Sequence, residues 1–200
     1  MKSVLKGIAI LTHPIFLPFY SLFVYYPLIE RYSNETYILS SVWLGFVYLF
    51  LPLVYFLRVR GINLEHPNLV QRKSIFRAYT LVNFGLAFVS LFLVHEYASF
   101  FIAATLLHVL MLVFSAIELK ASWHTSVWSF LLGTALMVLY NYKLEGLGNT
   151  GLQWGQLLAA LIVILSVVSW VRWKAKAHTF FELMMGIVAG LIASTPILFI

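Results

Sequence analysis

The sequence predicts an all-α integral membrane bundle with six or seven transmembrane helices. Three observations carry that prediction. Of 200 residues, 62% are apolar and only 10% are charged, with a mean hydropathy of +0.93. Soluble domains carry roughly 25% charge, so this chain has too few charges to cover a water-facing surface. The apolar residues also gather into uncharged stretches of the roughly 20 residues that a membrane-crossing helix needs. Finally, the cations are sorted to one side of those stretches, the pattern that sets membrane orientation. A soluble globule and a disordered chain are excluded. The net charge of +6 becomes a statement about topology rather than about nucleic acid.

Seven such stretches follow one another. Gly7–Ile29 comes first. Pro14, Pro18 and Pro27 kink it, because each proline removes a backbone donor and clashes with the preceding turn. Counting it as a span gives seven helices; laying it partly in the interface gives six. Tyr37–Leu57 is the second. Ala78–Val94 is the shortest, and its end extends into Ser74–Arg77 by snorkelling of the arginine. Tyr97–Ile117 and Ala121–Tyr142 are separated only by the short polar break at Glu118–Lys120. Gly146–Val171 and Leu183–Ile200 complete the series. No Ser/Pro/Gly-rich linker interrupts it, and the longest polar break is Arg58–Lys73. The expectation is one domain over residues 1–200, with accessory spans in 1–71 and a motif-bearing core in 72–200. The first apolar stretch is too long for a signal-peptide core and no small-residue cleavage pattern follows it, so it is read as retained.

Lys2 and Lys6 precede the first span. Arg58, Arg60, Arg72, Lys73 and Arg77 lie between the second and third, Lys120 between the fourth and fifth, and Arg172, Lys174 and Lys176 between the sixth and seventh. Only Arg31 and Lys143 fall on the other side. That excess marks the cytoplasmic face. There is no cysteine, which excludes disulfides, thiolate chemistry and cysteine metal sites. There is no aspartate either, so carboxylate chemistry rests on Glu30, Glu35, Glu65, Glu96, Glu118, Glu145 and Glu182.

Three polar clusters stand at helix mouths on the cation-rich side. They are Gln71–Arg77 entering the third span, Lys120–His124 entering the fifth, and Arg172–Glu182 leading into the seventh. Residues four apart share a helix face, which pairs Lys73 with Arg77, Lys120 with His124, and His178 with Glu182. A carboxylate one turn from an imidazole holds its tautomer and stabilises its cation. Two histidines with Arg and Lys donors suit phosphoryl transfer. One imidazole attacks phosphorus, the other protonates the leaving oxygen, and the cations neutralise the equatorial oxygens.

The pattern Ser122-x-His124 followed by Arg172-x5-His178-x3-Glu182 resembles the second and third motifs of the type 2 phosphatidic acid phosphatase superfamily, P-S-G-H and S-R-x5-H-x3-D. The two spans between the histidines return both to one membrane face, as in that family. The first motif, K-x6-R-P, is represented loosely by Lys73 and Arg77, with Ala78 where proline belongs. Trp123 stands in place of glycine, Glu182 in place of aspartate and Val171 in place of serine. The shortened first motif resembles a divergent bacterial branch. The resemblance implies a metal-independent lipid phosphate or pyrophosphate phosphatase of phospholipid metabolism, or a lipid phosphotransferase, in a bacterial inner membrane. It implies His178 as the nucleophile that becomes phosphohistidine, His124 as general acid and Glu182 as the group that orients His178. Arg172, Ser122, Lys73 and Arg77 would bind phosphate, with help from Lys120. The implied partners are membrane lipids and a lipid phosphate substrate, with no cofactor and no nucleic acid. The resemblance favours the periplasmic face, against the cytoplasmic face favoured by charge.

Other features carry plainer expectations. His108, in mid-span, hydrogen-bonds within the bundle; His95-Glu96 is a solvated turn; His13-Pro14 is a kink. Arg58, Arg60, Arg72, Lys174 and Lys176 set topology and meet lipid headgroups. Gly186-x3-Gly190 allows close helix contact. Asn34-Glu35-Thr36 fits a glycosylation acceptor, a short motif that is commonly accidental. The aromatics form interface belts. A competing reading is a non-enzymatic carrier or channel with a basic vestibule for anions. That would need a polar path through the bilayer, where an enzyme needs a pocket closed on its far side.

Overall fold

The computed structural model describes residues 2–17, 19–21, 35–55, 67–93, 96–143 and 151–199. Among them every regular element is helical. In order these are α1 (Lys2–Leu11), a 3-10 turn (Pro14–Phe16), α2 (Glu35–Tyr55), α3 (Leu69–Leu93), α4 (Glu96–Ala116), α5 (Trp123–Lys143), α6 (Gly151–Lys174), α7 (Phe180–Ala193) and a closing 3-10 helix (Thr195–Phe199). Pro18, Pro27, Arg31, Arg58, Arg60, Asn34 and His95 fall outside the described residues.

Four helices are long and apolar enough to cross a membrane: Leu69–Phe92, Tyr97–Ala116, Trp154–Lys174 and Phe180–Leu198. The expected six or seven spans are therefore not reached among the described residues. Val4–Phe16 and Gly45–Tyr55 are apolar but shorter. The expected span Ala121–Tyr142 forms α5, which has the length but not the apolarity. Its first half is rich in Ser, Thr and His, and every residue from 121 to 131 is buried. The polar helix is the central one, so its hydroxyls face neighbouring helices.

The surface follows the same logic. Phe84, Phe88 and Phe92 of α3 and Ile162 and Val163 of α6 are exposed, whereas Asn83, Ser90, His108, Ser126 and Ser129 are buried. Apolar side chains outside and polar ones inside is the arrangement a hydrocarbon solvent favours.

Two helix pairs build the bundle. α3 and α4 pack along their length, with Phe76, Tyr79 and Asn83 against His108. α5 and α7 make the second pair, and they run parallel: Ser122 meets Glu182, Ser129 meets Gly186, and Asn141 meets Ile197. A Cβ added at Gly186 would strike Thr125 and the Ser122 carbonyl; one at Gly190 would strike Ser129 and the Ser126 carbonyl. The glycines thus let a serine and threonine ladder on α5 reach the α7 backbone. Thr125 Oγ1 donates to the Leu183 carbonyl at 3.2 Å. Because α6 carries the chain back between two parallel helices, the starts of α5 and α7 share one end of the bundle.

The loops into both starts use one device. After α4, the Leu119 amide donates to Phe114 at 2.8 Å with Glu118 at φ 64°. After α6, the Ala177 amide donates to Arg172 at 3.1 Å with Lys176 at φ 54°. These are the six-to-one closures that end a helix on a left-handed residue, a place usually taken by glycine. A side chain in that conformation costs roughly 1–2 kcal/mol.

Candidate active site

At this shared end lies a cavity of about 310 Å³, lined by His13, Asn68, Arg72, Phe76, Lys120, Trp123, His124, Arg172 and His178, among others. It draws on four regions far apart in sequence.

His178 precedes α7 rather than sitting on it. Thr179 is the N-cap, accepting the Glu182 amide at 3.2 Å, while Glu182 Oε2 accepts the Thr179 amide at 2.9 Å. The same Oε2 accepts from His178 Nδ1 at 3.3 Å. The four-residue spacing therefore works through a capping box and not through a helical turn. Glu182 ties the imidazole to the helix start and leaves Nε2 with the lone pair. Burial holds the His178 pKa below its ordinary value, the charges of Arg172 and Arg72 push the same way, and Glu182 opposes them.

His124 occupies the first turn of α5 and is 7% exposed. Lys120 lies before that helix, so the two do not share a helical face, yet both reach the cavity. Ser122 does not line it. Its amide donates to the Glu182 carbonyl at 2.9 Å, and its hydroxyl accepts the Thr125 amide at 3.5 Å, capping α5. Ser122 thus joins the two motif-bearing helix starts.

Lys73 and Arg77 sit in α3, half-buried and exposed respectively, and neither lines the cavity. Arg72 does. It is 7% exposed, and its guanidinium donates to the Ala121 carbonyl and lies over the Phe76 ring. The signal was present in the sequence. Arg72, Ile75, Phe76, Tyr79 and Asn83 repeat at helical spacing and form the buried stripe of α3. Asn68 and Gln71 form a reciprocal cap that starts α3 at Leu69, with bonds of 2.9 and 3.1 Å. That start brings Arg72 into the helix, in register with the stripe. His13 is the other residue missed, because its partners come from α5 and no local pattern marks them.

Neither Arg72 nor Arg172 has a carboxylate ion-pair partner among the described residues, and Arg172 Nε is buried without a hydrogen bond. Buried cations held this way suit an anion. Among the described residues no three His, Cys, Asp or Glu side chains are grouped to hold a metal ion. No family model, curated protein or solved structure matches this chain.

Proposed function

We propose that this chain is a membrane lipid phosphatase that hydrolyses a phosphate monoester or pyrophosphate through a phosphohistidine, as its resemblance to the type 2 phosphatidic acid phosphatase superfamily implies. The observation that carries the reading is the cavity itself: two arginines without carboxylate ion-pair partners among the described residues line it together with two histidines. Arg72, Arg172 and Lys120 bind the phosphate oxygens. Nε2 of His178 attacks phosphorus, and the bond to the leaving oxygen breaks as that oxygen takes a proton from His124. Water then attacks the phosphorus of phosphohistidine, giving its proton to His124 and releasing His178. Glu182 stabilises the charge that develops on the His178 ring. An acceptor lipid in place of water would make the chain a phosphotransferase.

The site lies at the headgroup level of a multi-pass protein of a bacterial inner membrane, with α1, α2 and α5 completing the six or seven spans. The test is phosphate release from a panel of lipid phosphates, with and without chelator, by the native chain and His178→Ala. Release by the native chain alone is expected; full activity in the variant ends the reading, and loss of native activity on chelation replaces it with a metal mechanism. Labelling of single cysteines placed in 58–73, clean because the native chain has no cysteine, assigns the face.

A further inference from the structure

The α3 side of the cavity is a row of residues four apart: Asn68, Arg72 and Phe76. Exposure falls along the row. Asn68, the cap, is exposed; Arg72 is 7% exposed and Phe76 1%. The row therefore runs from mouth to floor. Ile75 and Trp123 complete the floor, at 1% and 7% exposure, with the Trp123 ring edge-on to Phe76 at 5.5 Å. A phosphoryl group held at the depth of Arg72 has no room for more substrate on the floor side. Whatever is joined to it must leave past Asn68. The reciprocal cap fixes what Asn68 presents there. Its amide donates to Gln71 Oε1 at 3.1 Å, its Oδ1 accepts the Gln71 amide at 2.9 Å, and its carbonyl accepts the Arg72 amide at 2.9 Å. Only Nδ2 is uncommitted among the described residues. Since Oδ1 is bound on the helix side, the planar amide turns Nδ2 away from the first turn of α3. Asn68 is also the one uncharged amide side chain among the residues that line the cavity. Phosphate oxygens gain more from the arginines and Lys120, so a neutral donor is matched to a neutral acceptor. Four residues advance a helix by about 6 Å. That is the reach from phosphorus to an oxygen borne a few atoms along the linker.

We propose that Asn68 is a specificity-determining residue: its Nδ2 donates to an ester or hydroxyl oxygen of the linker that joins the phosphoryl group to the lipid, so the site prefers an oxygen-bearing linker to a plain hydrocarbon one. The assignment rests on the phosphatase reading for where the phosphoryl group sits, and deepens it by naming the chemistry next to that group.

The informative variant is Asn68→Ser. Serine caps a helix as well as asparagine does, so it can keep the bond to the Gln71 amide while withdrawing the side-chain amide from the mouth. Thermal unfolding in detergent should match the native chain. Phosphate release is measured on two single-chain monoesters: 1-dodecanoylglycerol phosphate, whose linker carries ester and hydroxyl oxygens, and dodecyl phosphate, whose linker carries none. One hydrogen bond between neutral groups corresponds to about 2–10-fold. The variant should therefore lose about 2–10-fold more kcat/KM on the glycerol ester than on dodecyl phosphate, chiefly through KM. A loss that is equal on both esters, larger on dodecyl phosphate, or absent from both overturns the proposal. If Asn68→Ser lowers the unfolding temperature, Asn68→Asp carries the comparison, because it keeps the accepting oxygen and drops the donor. Its charge weakens both substrates, and the same extra loss on the glycerol ester is expected; an equal loss overturns the proposal. If the native chain hydrolyses neither ester, the phosphatase reading falls and equilibrium binding of the two esters decides. Selective weakening of the glycerol ester in the variant supports the role of Asn68, and unselective or absent weakening overturns it.

Discussion

His124 and His108 are both buried, and both leave Nε2 without a protein partner. By local chemistry they are alike. Their surroundings differ. His108 Nδ1 lies 2.7 Å from the Ala104 carbonyl, its ring stacks on Tyr79 at 5.2 Å, and Asn83 approaches at 3.1 Å. Its ring and polar contacts on α3, α4 and α5 are uncharged, and the ring is wholly sealed. His124 shares a cavity with Arg72, Arg172, Lys120 and His178. Trp123 stands between the two, 6.1 Å from the His108 ring and on the cavity wall. The lesson is that a buried histidine in a membrane bundle becomes a candidate for chemistry through neighbouring cations and an opening, not through burial or an unpaired nitrogen.

The largest test of that contrast is direct replacement. His178→Ala or His124→Ala should cut phosphate release by at least about 10³-fold, whereas His108→Gln should stay within about tenfold while lowering the unfolding temperature. Equal losses of activity would break the comparison. Arg172→Gln should cost about 10²–10³-fold, as when one preorganised charge donor is lost, and Lys174→Gln, whose side chain reaches over Trp173, should change the rate little; phosphate release by the two variants reads the difference. Gly190→Ala should lower stability by about 1–3 kcal/mol through overpacking against Ser129 and the Ser126 carbonyl, measured by unfolding in detergent.

The pH profile sharpens the same contrast. A His178 pKa held low by burial and by Arg172 and Arg72 keeps the nucleophile neutral below the ordinary histidine range. The acid limb of kcat/KM should move up in pH in Arg172→Gln and down in Glu182→Gln, which removes the opposing charge. By linkage, the stability associated with this ring is full above the ordinary histidine pKa and declines as the pH falls through the lowered one. The smallest expected effect is Lys176→Gly. It relieves the left-handed strain and should stabilise the fold by up to about 1 kcal/mol. Turnover should fall slightly as the loop carrying His178 loosens.

Much of this was legible in the chain. Apolar stretches and scarce charge determine a membrane-type helical bundle, because long apolar helices satisfy their own backbone in hydrocarbon. The spacing of Ser122, His124, Arg172, His178 and Glu182 brought the right helix mouths together. It did not say how. Glu182 reaches His178 through a cap rather than a helical turn, and Ser122 binds the Glu182 backbone rather than the cavity. Arg72 was readable from the α3 stripe, whereas Lys73 and Arg77, which look alike as cations, fall off that stripe. The uncharged stretch at α5 marks a helix of spanning length but not its polarity: a central helix can be polar because its neighbours, not lipid, are its solvent. His13 was invisible, since its meaning depends on Trp123 and His124, more than a hundred residues away. Composition and periodicity act along one helix and can be read from one helix. Which polar groups meet, and which cations share a cavity, are properties of contacts between helices, and only the packed bundle decides them.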